Sequence, residues 1–213
     1  RTDYVTFRRS SGAALAPTSP LPLTDSQQRA YDDICRGMDA GDGKAYLLHG
    51  VTGSGKTEVY MQAIAHGLSH NKKSILLVPE IALTPQTVDR FRARFGDRVA
   101  VLHSRLSPGE RFDEWRRIRT GRADMVIGAR SAVFAPMENL GLIVIDEEHE
   151  PSYQSEQHPA YQALEVAHKR CQLTGSALVL GSATPSVQTY FRAASGRYSL
   201  LELPERVEGA ALP

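Results

Sequence analysis

The sequence has few cysteines and no long apolar run. Its two cysteines, Cys35 and Cys171, lie far apart, and neither belongs to a CxxC pair. This spacing argues against a metal or disulfide role and favours a reduced, cytoplasmic setting. No apolar stretch approaches the roughly 18 residues of a membrane span, and no signal-peptide pattern is present. We therefore expect a soluble protein with no membrane partner.

The sequence also lacks an excess of charge of either sign. It contains 25 Lys and Arg against 24 Asp and Glu, which gives a formal net charge of +1. No global basic excess indicates nucleic acid binding, so any such site must be local. At 213 residues the chain is long enough for one domain with a sizeable core. Because it opens on Arg1 and stops at Pro213, we expect it to be a piece of a longer protein.

A glycine-rich stretch, Gly50–Thr57, lies between an apolar run and a helix-periodic segment. Its sequence, GVTGSGKT, fits the phosphate-binding pattern GxxxxGK[ST]. Glycines let backbone N–H groups turn towards a triphosphate, and the N-terminus of the following helix adds a partial positive charge. Lys56 supplies an ammonium for the β- and γ-phosphates, and the Thr57 hydroxyl can ligate Mg²⁺. The residues expected to bind nucleotide are Gly50, Thr52, Gly53, Ser54, Gly55, Lys56 and Thr57.

Apolar strands alternate with amphipathic helices over most of the chain. Strands are predicted at 45–49, 75–78, 99–102, 125–127, 142–145, 177–180 and 198–201. Near-continuous apolar strands separated by helices indicate an α/β fold, with a mostly parallel sheet covered by helices on both faces. One helix, predicted to begin at the capping box Ser107–Glu110 and to end near Gly121, carries Phe112, Trp115 and Ile118. We assign Trp115 to the core because it shares an apolar face with the other two.

The domain boundaries follow from composition. Residues 1–22 are predicted to be a linker from a preceding domain, because residues 10–22 are rich in Ser, Ala and Pro. The folded lobe is expected to span residues 23–205. Residues 206–213 are expected to start the connection to a second lobe that this chain lacks.

Two polar motifs follow predicted strands directly. Asp146 and Glu147 come after one strand, and ligands in parallel sheets bind outside the carboxyl ends of strands. Asp146 would hold Mg²⁺, directly or through water, and Glu147 would orient and deprotonate the attacking water. At the end of another strand, Ser182 and Thr184 can hydrogen-bond to the acidic segment and report the nucleotide state. The alternatives are an acidic turn that merely caps a strand and ordinary helix-start residues.

Together, Gly50–Thr57, Asp146–His149 and Gly181–Thr184 resemble motifs I, II and III of the superfamily two helicases, in the DExH branch. More closely, the chain is similar to the first helicase lobe of the bacterial primosomal replication-restart helicases. Two longer stretches carry this likeness, Leu77–Gln86 (LVPEIALTPQ) and Ile127–Pro136 (IGARSAVFAP). The resemblance implies a RecA-like P-loop NTPase fold in three layers, with ATP and Mg²⁺ as cofactors. The implied activity is that of an ATP-dependent DNA helicase acting in the restart of stalled replication forks.

The resemblance also implies roles for individual residues. Gln27 matches the adenine-reading glutamine of such helicases, and His149, Ser182 and Thr184 match residues that couple the nucleotide to the rest of the molecule. DNA contacts are implied for Thr84, His103, Ser104, Arg130, Ser131, Tyr153, His158 and Tyr161. The last three lie in segment 153–161, which is aromatic-rich, lacks helix or strand periodicity and could stack on bases. The alternative for Gln27 is a solvated helix residue, and for the first five DNA residues it is a cap or turn role. For segment 153–161 it is a surface loop whose tyrosines pack on the following helix.

The implied partners are single-stranded and forked DNA, a second lobe of the same protein, and the primosome and single-strand-binding proteins, in a nucleoid-associated setting. Zinc is implied only outside this chain. Gln154, Ala160 and Leu164 stand where the family pattern leads us to expect basic residues. Two alternatives therefore stay open: another superfamily two helicase or translocase, such as a fork-reversal enzyme, and a docking module that no longer uses ATP productively. Because no later motif supplies an arginine finger, we expect slow ATP turnover by this chain alone.

Overall fold

The computed structural model describes residues 16–156 and 158–207. The strands are β1 (Ala45–Gly50), β2 (Lys73–Leu77), β3 (Val99–Leu102), β4 (Met125–Gly128), β5 (Leu140–Asp146), β6 (Gln154–Ser155), β7 (Tyr161–Gln162), β8 (Ala177–Ser182) and β9 (Ser199–Leu203). The α-helices are α1 (Asp25–Ala40), α2 (Lys56–Ser69), α3 (Pro85–Phe95), α4 (Pro108–Arg119), α5 (Ala163–Thr174) and α6 (Val187–Ala194). Single 3₁₀ turns or short 3₁₀ helices cover Glu80–Ala82, Gly96–Arg98, Arg130–Phe134 and Pro151–Tyr153.

Seven strands form one parallel sheet, in the order β3-β4-β2-β5-β8-β1-β9. Because successive side chains of a strand point to opposite faces, each strand supplies both halves of the core. In β1, Tyr46 and Leu48 belong to one apolar cluster, whereas Ala45 and Leu47 belong to the other. Helices α1, α2 and α3 cover the first face, and α4, α5 and α6 cover the second. The predicted α/β fold with helices on both faces is confirmed.

The strand order decides which residues meet at the functional edge. Strand β8 lies between β1 and β5, although it follows both in sequence. In the register of these strands, Leu48 lies opposite Gly181, and Gly181 lies opposite Asp146. Neighbouring strands are about 4.8 Å apart, so the ends of β1 and β5 are separated by about 10 Å. The phosphate loop and the acidic segment thus leave the same edge of the sheet.

Helix α4 begins where the sequence predicts, at the capping box of Ser107 and Glu110. Its orientation differs from the prediction, however. Ile118 is buried, whereas Trp115 is 36% exposed and Phe112 is 62% exposed. Glu114 instead faces the sheet, where its Oε2 accepts a hydrogen bond of 3.0 Å from the Val101 amide. The assignment of Trp115 to the core is therefore wrong, because the helix turns another side towards β3.

A buried ion pair fastens the segment that precedes α1 to the lobe. Arg94 of α3 donates to both carboxyl oxygens of Glu58 on α2, each at 3.2 Å, and both side chains are less than a tenth exposed. Glu58 also accepts a hydrogen bond of 3.1 Å from the Leu21 amide. The Thr18 amide donates to the Ala93 carbonyl at 3.1 Å. The last residues of the predicted linker are thus held against the lobe.

Part of the predicted domain division falls outside the described residues, namely residues 1–15 of the linker and residues 208–213 of the connection. Val207 is described, and its amide donates to the Gly53 carbonyl of the phosphate loop at 3.0 Å. The division into linker, lobe and connection stays a prediction. Within the described residues, no helix has both the length and the apolarity that crossing a membrane requires.

Candidate nucleotide and nucleic-acid site

The phosphate loop joins the end of β1 to the start of α2. Gly55 has a φ of +80°, a conformation that favours glycine, and α2 begins at the next residue, Lys56. The Lys56 side chain is folded against the loop, where Nζ donates to the Gly50 carbonyl at 2.7 Å. The chain therefore passes from a strand through a tight turn into a helix N-terminus, which is the order that a phosphate-binding site requires.

The residues of this loop fit a magnesium-bound triphosphate. Ser54 Oγ is buried and has no hydrogen-bond partner among the described residues, so a polar ligand group can satisfy it. The Lys56 ammonium lies at the helix N-terminus, which itself favours anions. The Thr57 hydroxyl and the Asp146 carboxylate supply oxygen ligands of the kind that Mg²⁺ prefers.

Asp146 ends β5 in an environment that penalises its negative charge. Burial raises the pKa of its carboxyl to about 6, and the neighbouring Glu147 charge adds to that rise. A 3.1 Å hydrogen bond from Tyr60 Oη to Asp146 Oδ1 and the positive charge of Lys56 act in the opposite direction on this pKa. The positive charge of Lys56 thus favours the ionised form of Asp146, in agreement with a shared ligand site.

Glu147 follows Asp146 with a backbone φ of +46°, in the left-handed region that a residue with a side chain seldom adopts. Such a conformation costs roughly 1–3 kcal/mol and is found most often at functional sites. The Glu147 side chain is 37% exposed, and its Oε2 lies 3.7 Å from His149 Nδ1. Glu147 thus has access to solvent beside the more enclosed carboxyl of Asp146.

The predicted coupling residues are in contact with one another. His149 Nδ1 lies 2.9 Å from Ser182 Oγ, and the Thr184 amide donates to the same hydroxyl at 3.0 Å. The acidic segment after β5 is therefore joined to the end of β8 by side chains as well as by the strand ladder.

Glu148 is a residue of this segment to which the sequence analysis gave no role. It is buried and accepts hydrogen bonds at the N-terminus of α6 from the Ser186 amide, at 2.7 Å, and from Thr189 Oγ1, at 2.9 Å. A carboxylate at a helix N-terminus is favoured by the helix dipole. The sequence does indicate a helix start here, because Ser186 lies three residues before Thr189. That pattern alone does not identify Glu148 as the residue that accepts their hydrogen bonds.

Gln27 is buried and already has partners at both ends of its amide. Its Oε1 accepts from the Thr24 amide at 2.9 Å, which completes a capping box, and its Nε2 donates to the Ser54 carbonyl at 2.7 Å. Each end of an amide group has capacity for one further hydrogen bond. The structure thus joins α1 to the phosphate loop through Gln27, and the adenine-reading role stays a prediction.

The residues predicted to track DNA lie beyond the carboxyl ends of β2, β3 and β4. Thr84 is exposed and caps α3, accepting from the Thr87 amide at 3.2 Å. Ser104 donates to Glu80, and Ser131 is exposed. His103 has a buried Nδ1 without a partner among the described residues, and burial lowers the pKa of its ring. Thr84 therefore caps α3, and the DNA contacts of these residues stay predictions.

Segment 153–161 contains the antiparallel pair β6 and β7, which the lack of periodicity had not indicated. Arg130 stabilises this hairpin. It donates to the carbonyls of Ser152 and Gln154, and its guanidinium lies 5.7 Å from the centre of the Tyr161 ring. His158 is exposed at the tip. Arg130 and Tyr161 are thus brought together.

Tyr153 departs from the prediction. It is 3% exposed, and its Oη donates to the Asp146 carbonyl at 2.6 Å. The 3₁₀ turn Pro151–Tyr153 folds the ring beneath the end of β5. Base stacking by Tyr153 is therefore wrong for this structure, because neither face of a core ring can reach a ligand. Tyr153 instead supports the backbone of the acidic segment.

Comparisons with known proteins agree with this arrangement. A family model described as DEAD/DEAH box helicase matches residues 24–192. The protein named replication restart protein PriA of Bacillus subtilis (strain 168) is 55% identical over 92% of this chain and 24% of its own length. The protein of the same name from Chlamydia pneumoniae is 48% identical over 91% of this chain and 26% of its own length. The chain thus spans about a quarter of the length of these curated relatives.

Solved structures of helicases share the fold. RecG bound to a three-way DNA junction superposes with a TM-score of 0.65 at 27% identity, covering 91% of this chain and 25% of RecG. The Hef helicase domain of Pyrococcus furiosus gives a TM-score of 0.60 at 21% identity, covering 85% of this chain and 38% of that one, and supports the fold alone. The predicted RecA-like fold and the resemblance to helicases are confirmed. With its phosphate loop and its acidic segment at one edge of a parallel sheet, this chain belongs to the DEAD/DEAH box helicase family.

Proposed function

We propose that the chain is the ATP-binding lobe of a DNA helicase that acts in replication restart. The observation that carries the proposal is that the phosphate loop and Asp146 lie at the same edge of the sheet, where Tyr60 of the helix that follows the loop donates to Asp146. Identities of 55% and 48% to two replication restart proteins favour this class over other members of the family. Membership of the family implies the use of ATP and Mg²⁺ in general terms.

Each nucleotide-site residue then has a defined task. Lys56 and the loop amides would bind the β- and γ-phosphates, and Thr57 and Asp146 would hold Mg²⁺, which when bound neutralises phosphate charge. Asp146 must be ionised to act as a ligand. With a carboxyl pKa of about 6, it is mostly ionised above that pH even before a cation lowers the pKa further. Glu147, which is more exposed, orients the attacking water and accepts its proton.

Coupling to DNA is assigned to the contacts that leave the acidic segment. His149 and Ser182 transmit the state of the nucleotide to the end of β8, and Thr184 extends this path. On the DNA side, four of the predicted residues are exposed, namely Thr84, Ser104, Ser131 and His158, and His103, Arg130 and Tyr161 are half-buried. RecG, a structural relative, is bound to a three-way DNA junction, which supports forked DNA as a partner here.

The remaining parts of the proposal concern the whole protein. A second helicase lobe would close the nucleotide site and supply an arginine finger, without which phosphoryl transfer can be slower by about 10³–10⁵. Primosome and single-strand-binding proteins are further proposed partners, in the cytoplasm and at the nucleoid. Zinc is proposed only outside this chain.

Nucleotide binding by matched lysine variants tests the proposal. Lys56→Ala is expected to weaken the binding of ATP·Mg²⁺ by tenfold or more, because a charge-assisted phosphate contact is lost. Lys169→Ala, which removes an exposed lysine of α5, should bind ATP as the parent does. A docking module that no longer uses ATP would be indifferent to both changes. Equal affinity for ATP in the two variants would therefore reject the motor assignment and favour the docking module.

The restart assignment needs a second measurement. In a polypeptide that adds a second helicase lobe, forked DNA should stimulate ATP hydrolysis more strongly than duplex DNA does. Glu147→Gln should abolish the stimulated rate and leave nucleotide affinity within about twofold, because the amide cannot accept the proton of the attacking water. Equal stimulation by forked and duplex DNA would favour a different translocase of the family.

A further inference from the structure

Helix α4 presents an aromatic groove to solvent. The groove has a volume of about 620 Å³ and is lined by side chains that include Leu106, Arg111, Phe112, Trp115, Arg116 and Arg119. Phe112 is 62% exposed and Trp115 is 36% exposed. Contiguous exposed apolar patches that are rimmed by polar residues mark interaction sites, whereas single exposed apolar side chains need no explanation.

The fold does not need these aromatics for its core. Helix α4 packs on the sheet through Ile118, while Glu114 accepts from the Val101 amide at 3.0 Å and from Arg117 at 2.7 Å. The spacing of Arg111, Phe112 and Trp115 puts them on one outward arc of the helix, since residues three and four apart are neighbours on its surface. The groove is therefore built on a face that α4 turns away from the lobe.

The groove carries positive charge although the chain as a whole is nearly neutral. Three arginines line it, and none of its lining residues, all of which the structure describes, is an Asp or a Glu. The formal charge of the full sequence is only +1. The groove is therefore a local basic surface that also contains aromatic rings. Such a surface fits an anionic partner with flat apolar faces.

The position of the groove relates it to the functional edge. Arg111 Nη2 donates to the Ser104 carbonyl at 3.4 Å, so the groove begins beside a residue of the predicted DNA track. Leu106, which lies in the loop between β3 and α4, forms part of its wall. Ser104 and the groove are therefore adjacent on the surface.

We propose that this groove binds an unpaired segment of DNA, with bases on Phe112 and Trp115 and phosphates on the arginines. Unpaired bases expose their π-faces for stacking, and guanidinium groups bind the phosphates without reading sequence. A blunt duplex cannot bind in this way because its base faces are stacked on one another. The inference rests on the proposed function and deepens it, since it adds a strand-binding surface outside the helicase motifs.

Fluorescence of Trp115 tests the proposal directly, because the sequence contains 1 Trp. The full 213-residue chain is titrated with an oligothymidylate and with a blunt duplex, and DNA binding is followed in parallel by the anisotropy of a labelled oligonucleotide. Oligothymidylate should quench Trp115 fluorescence, the duplex should not, and affinity should fall as salt rises from 50 to 200 mM. Binding by anisotropy without quenching would place the DNA elsewhere and overturn the proposal.

Two variants sharpen the test. Phe112→Ala should weaken oligothymidylate binding by about tenfold, which corresponds to the loss of one stacked base. Phe191→Ala removes an aromatic side chain of α6 that is 64% exposed, and it should bind as the parent does. Both side chains are exposed, so far-ultraviolet circular dichroism should confirm that both variants fold. Equal affinities in the two variants would overturn the proposal.

The failure of this inference is distinguishable from the failure of the proposed function. If oligothymidylate does not quench Trp115 fluorescence while Lys56→Ala still weakens ATP binding, the groove proposal alone is rejected. An acidic peptide containing phenylalanine serves as a further probe of the same surface. Quenching by that peptide, with no quenching by oligothymidylate, would show that the groove takes a protein partner and not DNA.

Discussion

Tyr60 Oη donates a 3.1 Å hydrogen bond to Asp146 Oδ1, joining the helix of the phosphate loop to the acidic end of β5. Tyr60 is 1% exposed, so this contact lies at the boundary between the core and the nucleotide site. Burial, followed by the charge of Asp146, raises the pKa of the Tyr60 hydroxyl well above its usual value, which keeps it a hydrogen-bond donor. The contact depends on Gly181, which lies between the two residues.

Gly181→Ala is expected to displace Tyr60 from Asp146. A Cβ at this position would lie 1.5 Å from Tyr60 Oη and 3.2 Å from Asp146 Oδ1. The expected loss in the free energy of unfolding is about 1–3 kcal/mol, measured by urea denaturation, because overpacking in a core costs that much. Gly109→Ala is the control, since a Cβ there meets nothing within 4 Å. Adding Tyr60→Phe to Gly181→Ala should restore part of the loss, and strictly additive effects would contradict this contact.

Asp146→Asn is expected to stabilise the chain at neutral pH when Mg²⁺ is absent. The pKa of Asp146 is raised from 3.8 to about 6, so the folded state binds its proton more tightly than the unfolded state does. The stability from this proton is full below pH 3.8 and is lost as pH rises through about 6. The variant should therefore gain on the order of 1–3 kcal/mol over the parent at pH 7.5.

The pH dependence distinguishes this effect from a simple change in packing. The stability gain of Asp146→Asn should shrink as pH falls from 7.5 towards 4, because the parent carboxyl becomes neutral as well. Urea denaturation at several pH values, with EDTA present, measures the difference. A gain that stays constant across this range would show that the carboxyl is not penalised by its burial.

Arg94→Met is expected to destabilise the lobe by about 3–5 kcal/mol, because it leaves the buried Glu58 charge without its cation. The Arg94 and Glu58 side chains are only 8% and 6% exposed. Arg36→Met is the matched control, since Arg36 pairs with Asp33 on the surface at 77% exposure, and such pairs contribute about 0–1 kcal/mol. Thermal or urea unfolding of both variants makes the comparison, and similar losses would refute the importance of the buried pair.

Ser182→Ala is expected to uncouple DNA from ATP hydrolysis while leaving nucleotide affinity within about twofold. It removes the hydroxyl that meets His149 at 2.9 Å and accepts from the Thr184 amide. The measurement is the ratio of ATP hydrolysis rates with and without single-stranded DNA, which should fall by about tenfold if one such contact is lost. Ser195→Ala, at the exposed end of α6, should preserve the ratio. An unchanged ratio in Ser182→Ala would remove Ser182 from the coupling path.

The sequence predicted those parts of the molecule that depend on local pattern. The apolar run before Gly50, the glycines of the loop and the periodic helix after it specify a strand, a turn and a helix in any compact fold. The capping box at Ser107 likewise fixed the start of α4, because its two hydrogen bonds join residues three apart. Local signals of this kind are independent of what the element packs against.

Rotation of a helix about its own axis is not a local property. Phe112, Trp115 and Ile118 share one apolar arc of α4, but only Ile118 is buried. The sequence alone therefore allowed Trp115 to face inwards. The hydrogen bond from the Val101 amide to Glu114 shows which side was chosen. Tyr153 shows the opposite error. The sequence led us to expect an exposed aromatic, but a 3₁₀ turn places its ring in the core beneath β5.

By itself the sequence predicted the chemistry of the site, since Lys56, Thr57, Asp146 and Glu147 stand in motifs whose spacing needs no coordinates, and it determined the family to which the chain belongs. Only the tertiary structure decided that β8 separates β1 from β5, that Tyr60 supports Asp146, and that Trp115 remains at the surface. The physical reason is that strand order and helix rotation are set by contacts between residues distant in sequence, which together minimise the free energy of the whole fold. Such contacts produce no periodic pattern in the sequence of a single segment.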